Sequence, residues 1–251
     1  MRWFIRALGV VLVGLTCLAA VAQSADPLYQ TKTIVTGTDM RSRPEGFAAC
    51  LRDVLVKVSG NPKFATDPRV QAKRVDALVA DFSYRDRYGS VPRHDEQGTR
   101  DRPYDLTVQF DPAKIDRLLA DLGDGPWTSG RPELLARVTV ITRSRQRFAV
   151  TADGDTAKDH REALAAAAGK YGMRVALPAT ASPAFPDAPA GSARLRGSLT
   201  WDEPAGGWAA SWQLRWKGRR YEWGVKGVSF DEAYRNMVLG GLQVLSGHGN
   251  P

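Results

Sequence analysis

Cysteine and histidine are scarce in this sequence, with two of the former and three of the latter among 251 residues. Cys17 sits inside an apolar N-terminal run, which leaves Cys50 as the lone thiol of the rest of the chain. A single cysteine makes no internal disulfide, so the fold must rest on its apolar core. The histidines, His94, His160 and His248, lie far apart, and no H-E-x-x-H pair is present to hold zinc. Also missing are the G-x-S-x-G nucleophile turn, the G-x-x-x-x-G-K-[ST] phosphate cradle and the G-x-G-x-x-G dinucleotide loop. These gaps exclude the ready-made metal, hydrolase and nucleotide signatures, but not a site assembled from distant segments. Beyond residue 22 no apolar run approaches the roughly 20 residues that a helix needs to cross a bilayer. The chain beyond the leader is therefore not expected to be transmembrane.

The leader reads MRWFIRALGVVLVGLTCLAAVAQ. Arg2 and Arg6 form a basic start, and Ala7 to Ala22 form an apolar run that closes on Ala20-Val21-Ala22. This is the layout of a secretory signal peptide, residues 1–22, cleaved after Ala22. The competing reading is a retained anchor helix, for which the run is short and its end too rich in small residues. Thr16 before Cys17 argues against lipid attachment. Loss of Arg2 and Arg6 lowers the formal charge from +8 to +6, a modest excess that permits acidic partners without demanding them. The expected location is the periplasm.

Two modules are predicted, 23–125 and 126–251. In the first, LYQTKTIVT (28–36) has strand composition. Phe47, Cys50, Leu51, Val54, Leu55 and Val58 fall at helix spacing, and Ser59-Gly60-Asn61-Pro62 stops them. Cys50 is read as packing rather than reactive. Val70, Val75, Leu78, Val79 and Phe82 predict a second helix from Pro68 to Asp81, and FSYRDRYG then a strand running into the polar loop 89–103. YDLTVQF is a strand, and Asp111-Pro112 opens a helix with Ile115, Leu118 and Leu119 inside. In the second module LLARVTVIT is a strand followed by a charged turn, residues 157–171 form an alanine-rich helix, and the Pro-rich stretch 178–193 is an exposed loop.

Side-chain parity organises the rest, because alternate residues of a strand face opposite ways. In ARLRGSLTW, GWAASWQLRWK and RYEWGVK, the aromatic and aliphatic residues share one parity: Leu195, Leu199 and Trp201; Trp208, Trp212, Leu214 and Trp216; Tyr221, Trp223 and Val225. Charged residues take the other. The predicted fold class is α+β: two packed α/β modules, the C-terminal one a Trp-rich antiparallel sheet covered by the helix VSFDEAYRNMVLGGLQVL. Surfaces that bind single-stranded nucleic acid present aromatics and cations together; here they are separated, so nucleic acid is not expected as a partner. The charged side carries Arg194, Arg196, Arg215 and Lys217, with Arg219 and Arg220 at the adjoining turn. It is either a solvated face, a face packed through arginine stems, or a grip on anionic lipid headgroups or acidic envelope proteins.

Catalytic candidates are few. His94-Asp95-Glu96 stand in the polar loop, and ADGDTAKDH resembles the start of a calcium loop through Asp153, Asp155 and Asp159. Lys158 and Leu164 occupy the places where such a loop wants Gly and Glu, so a turn and helix cap account for the acids better. No cofactor or metal is expected.

The order LYQTKTIVT, FAACLRDVLVKVSGNP, RPELLARVTV, LAAAAGKYGMRVALP, GWAASWQL and GVSFDEAYRNMVLGGLQVL resembles domain of unknown function family 2066, exported proteobacterial proteins. That resemblance implies a Gram-negative envelope location and no established activity or catalytic residues. The function expected is a non-catalytic binding or scaffolding component of the cell envelope, which includes an accessory subunit of a larger machine. The alternative is a periplasmic, hydrolase-like enzyme with His94, Asp95, Glu96 or Asp101 converging in the 89–103 loop.

Overall fold

The computed structural model describes residues 26–71, 73–89, 102–181, 185 and 191–251. The leader 1–22, His94, Asp95, Glu96, Asp101 and half of the Pro-rich loop lie outside the described residues. Among those described, no helix is long and apolar enough to cross a membrane. The architecture is α+β with a three-stranded and a six-stranded sheet.

The smaller sheet holds β1 (Gln30–Thr36), β2 (Val79–Asp86) and β3 (Pro103–Phe110) in the antiparallel order β1-β3-β2. Helix α1 (Arg43–Ser59) lays Phe47, Leu51, Val54 and Val58 into the core with Leu106 and Val108 of β3. It comes very close: a Cβ on Gly46 would lie 2.6 Å from Leu106 and 2.8 Å from Val35. Gly60, at φ 79°, ends the helix in the left-handed cap foreseen for it. Asp111 caps α3 (Pro112–Asp121) by accepting the Lys114 N–H at 3.2 Å.

The helix predicted from Pro68 to Asp81 does not form. Only α2 (Pro68–Gln71) is helical, a 3-10 turn spans Asp76–Leu78, and β2 starts at Val79. The apolar residues fit a helical stripe, but Phe82 and Tyr84 are needed opposite Val108 and Leu106 of β3. Pairing with that strand's free edge wins over local periodicity.

The larger sheet contains β4 (Leu134–Ile141), β5 (Arg147–Ala149), β6 (Val175–Ala176), β7 (Ala193–Asp202), β8 (Gly207–Trp216) and β9 (Arg219–Val228). Its order is β5-β4-β7-β8-β9, with β6 also on β4. The charged turn after β4 leads into β5, a strand the sequence did not announce. β4 pairs parallel with β7 and β6 and antiparallel with β5, while β7-β8-β9 form the antiparallel meander that parity predicted. Helices α4 (Lys158–Tyr171) and α5 (Phe230–Leu245) pack on each other, and α5 covers β8 and β9. Under them Leu195, Leu214 and Tyr221 align across strands, as do Gly197, Trp212 and Trp223. Asn236 of α5 serves both indoles, accepting from Trp212 Nε1 through its side chain (3.0 Å) and from Trp223 Nε1 through its backbone carbonyl (3.2 Å). A buried indole N–H without an acceptor would be costly, so this asparagine is what lets two tryptophans enter an apolar layer.

Buried residues around both sheets join one hydrophobic cluster. The seam is held by charge. Arg131 donates through Nε to Trp127 O (2.7 Å), through Nη1 to Tyr171 O and Gly172 O (both 3.2 Å), and through Nη2 to Lys57 O and Val58 O (3.2 Å for the latter). One guanidinium thereby takes the last carbonyls of α1 and of α4, groups that a helix leaves without partners. Across the same seam Lys170 of α4 pairs with Asp53 of α1 at 2.6 Å.

Lys57 is buried beside that seam and donates to Pro27 O (2.6 Å) and Gln30 O (3.0 Å). Burial, with the Arg131 charge second, pushes its ammonium down to about 8 from the ordinary 10.5. A base whose folded pKa is depressed opposes folding while it carries its proton. That cost is complete below the folded value and is relieved as pH rises toward the unfolded one. Unfolding free energy should therefore rise by roughly 1–2 kcal/mol between about pH 8 and 10, measured against Lys57→Met as reference. Parallel pH profiles for the two proteins would show that the carbonyls compensate the buried charge in full.

Candidate anion-binding face

The outer face of the large sheet is made by the residues that parity excludes from the core. Strand register brings Arg194, Arg215 and Arg220 directly opposite one another on β7, β8 and β9. One step along, Arg137 of β4 faces Arg196 of β7, followed by Gln213 and Glu222. Glu222 accepts from Arg220 and from Gln213 (2.9 Å). Arg194, Arg196, Arg215 and Arg220 are all exposed. Like charges directly opposite on neighbouring strands destabilise a sheet by a few tenths to about 1 kcal/mol each. Glu222 offsets Arg220, but Arg194 and Arg215 face each other with no acidic partner among the described residues, an arrangement that folding does not explain.

Two predicted members stand elsewhere. Lys217 occupies the two-residue turn between β8 and β9 with φ 46°, and its ammonium lies 5.7 Å from the Trp216 ring centre. Arg219 is already in β9, opposite Trp216, and its guanidinium lies 6.0 Å from the Tyr221 ring. It belongs to the aromatic parity. A tight hairpin places its turn residues and first strand residue off the face that sequence adjacency suggests.

The structure adds three residues. Arg137 sits at charged parity in β4, which could have been read from LLARVTVIT. Phe185, from the Pro-rich loop, lies 4.8 Å from the Arg196 guanidinium, 5.6 Å from that of Arg137 and 5.9 Å from that of Arg194. It holds the fan of cations over an aromatic ring. Arg147 of β5 joins Arg137, Arg196, Thr139 and Thr180 around a shallow cleft of about 290 Å³. Burial, with the Arg196 charge second, holds Arg137 below the usual guanidinium range. Nothing in the sequence links Arg147 or Phe185 to this face, because each arrives through tertiary packing. Guanidinium forks and hydroxyls in one cleft suit phosphate or carboxylate oxygens.

Other reactive groups are engaged in packing. Cys50 is fully buried, and burial pushes its thiol up to about 11. His160 is enclosed by Phe148, Trp208, Phe230 and Tyr234, with the Tyr234 hydroxyl 3.2 Å from Nδ1, and burial keeps it below the usual imidazole range. Ser246, His248 and Asp124 do converge: Ser246 Oγ to His248 Nδ1 is 2.9 Å, and His248 Nε2 to Asp124 Oδ2 is 3.1 Å. The serine hydroxyl, however, also lies 3.1 Å from the carbonyls of Gly60 and Gln243, and Asp124 accepts from Asn61 at 2.8 Å. Ser246 does not line the cleft beside Arg137. The chain of bonds ties the end of α5 to the cap of α1. Among the described residues no three His, Cys, Asp or Glu side chains converge as metal ligands.

Fold and face together define an α+β protein with an arginine-rich sheet surface. The family model that matches, over residues 22–128, is described as Domain of unknown function (DUF8605). It replaces the resemblance to domain of unknown function family 2066. The segments behind that resemblance are core periodicities with Gly or Pro stops, which any α+β core of this plan repeats. No curated protein matches. Among solved structures, one described as "Crystal structure of uncharacterized protein" is 14% identical, covering 47% of this chain and 89% of its own, with a TM-score of 0.18.

Proposed function

We propose that the protein is a non-catalytic binding or scaffolding component of the bacterial cell envelope, exported to the periplasm, whose large sheet grips an anionic partner through its outer face. The observation that carries this reading is the cross-strand row of Arg194, Arg215 and Arg220 beside the Arg137–Arg196 pair. A row of like charges that costs stability is accounted for by a ligand that neutralises it. Acidic lipid headgroups, or an acidic segment of an envelope protein, supply that charge. The leader supports the location, and a mature N-terminus at Gln23 in the periplasmic fraction, read by mass spectrometry, tests it.

For the face itself, the mature protein should co-sediment with vesicles containing phosphatidylglycerol at low salt and not with phosphatidylcholine vesicles. Each cation near an anionic surface is worth about 1 kcal/mol, so replacing Arg194, Arg196 and Arg215 by Gln should weaken binding about 100-fold. Equal binding by the triple variant would sink the assignment of this face. Failure of the parent protein to bind either vesicle would leave lipid out and direct the search to acidic polypeptides.

A further inference from the structure

We infer that the free edge of β1 is a strand-addition site for an extended, acidic segment of a partner protein, a surface separate from the arginine face. Gly37 donates its N–H to Arg102 O at 2.9 Å, which continues the β1–β3 register by one residue. Residues of odd number in this strand therefore aim their backbone groups at β3. Gln30, Lys32, Ile34 and Thr36 aim theirs away from the sheet. The Gln30 carbonyl is taken by Lys57. Among the described residues the outward N–H and C=O of Lys32 and Ile34 have no partner.

Free edges are usually blunted by bulges, short length or cover. The opposite edge of this sheet, β2, has such an irregularity between Val79 and Asp81. β1 runs seven residues with no break in register, and the Ile34 side chain beside the edge is 57% exposed.

Clefts flank this edge on both faces, where an added strand would send alternate side chains. On the α1 side a cleft of about 770 Å³ is walled by Thr33, Val35 and the small residues Gly46, Ala48 and Ala49, with Asp39 and Glu45 balanced by Arg41 and Arg52. On the other side, toward α4 and α5, a cleft of about 960 Å³ is lined by Lys32, Arg85, Arg87 and Arg235 against only Asp86 and Asp105. Arg235 has no acidic partner among the described residues. The occupant that satisfies both walls is an extended chain alternating small or β-branched residues with Asp or Glu. Backbone bonds supply affinity and the charge asymmetry supplies selection.

The test uses the full chain and a capped seven-residue peptide of alternating Glu and Val, with a Lys and Val peptide as control. Amide hydrogen exchange is read by NMR at Lys32 and Ile34. Both amides should exchange freely in the protein alone and slow at least about tenfold with the acidic peptide at about 1 mM. Ile34→Pro removes an outward N–H that the sheet does not use, and should abolish the effect with the fold intact. Lys32→Glu combined with Arg235→Glu should weaken it while leaving Ile34 N–H in place. Protection already present without peptide, no protection with it, or equal protection by the lysine peptide would each overturn the inference. So would a concentration-dependent dimer that Ile34→Pro dissolves, since it would give the edge to a second copy.

Discussion

Arg131→Met should lower the unfolding free energy by about 3–5 kcal/mol in urea titrations, the largest loss expected from any single polar residue here. The guanidinium satisfies carbonyls of Trp127, Lys57, Val58, Tyr171 and Gly172, so its removal strips a donor from the C-terminal ends of two helices at once, with only Val58 O keeping another among the described residues, the Trp127 N–H at 2.8 Å. A charge-assisted bond contributes about 1.5–3 kcal/mol and a buried acceptor left bare costs about 1–3 kcal/mol, contributions that overlap rather than add. The ring of Trp127 lies 4.6 Å from the guanidinium and loses its stacking partner as well. Arg131→Lys should recover less than half of the loss, because an ammonium cannot present the planar fork that reaches five carbonyls. A loss under about 1 kcal/mol for the Met variant would mean that water replaces the guanidinium at the seam.

Trp212→Ala should cost about 3–5 kcal/mol, the range for truncating a large core aromatic. Trp212 is 2% exposed, faces Gly197 on one side and Trp223 on the other, and loses its bond to Asn236 on truncation. The same site has a sharper signature. A Cβ built on Gly197 collides with the six-membered ring of Trp212. Gly197→Ala alone should therefore destabilise by roughly 1–3 kcal/mol through overpacking. Combined with Trp212→Leu, it should cost less than the sum of the two single changes, since the smaller side chain vacates the space that the new methyl needs. Thermal and urea unfolding of the four proteins close this cycle. Strict additivity would show that the indole does not set the spacing of β7.

The arginine face was half legible. Parity places Arg194, Arg196, Arg215 and Arg220 together because a strand's two-residue period survives any tertiary context in which the strand forms. The same rule misplaces Lys217, since parity has no meaning inside a two-residue hairpin turn, and adjacency misplaces Arg219. Arg147 and Phe185 carry no local mark. One comes from a three-residue strand and the other from a Pro-rich loop, and only packing brings them to Arg196.

By itself the sequence determined the elements whose burial follows a strong period: α1 with its Gly60 stop, the capped α3, the β7-β8-β9 meander and the covering α5. It also determined which face of the meander is dry. In each case local hydrophobic spacing and turn chemistry agree, and no distant partner is needed to decide. Tertiary structure decided the rest. It turned the stripe after Pro68 into an edge strand for β3, brought β4 alongside β7 in parallel, and left β1 uncovered at one edge. It also gathered the carbonyls of two helix ends around Arg131. These outcomes depend on which backbone groups still lack a partner once the core has closed, and that is a property of the assembled chain rather than of any segment in it.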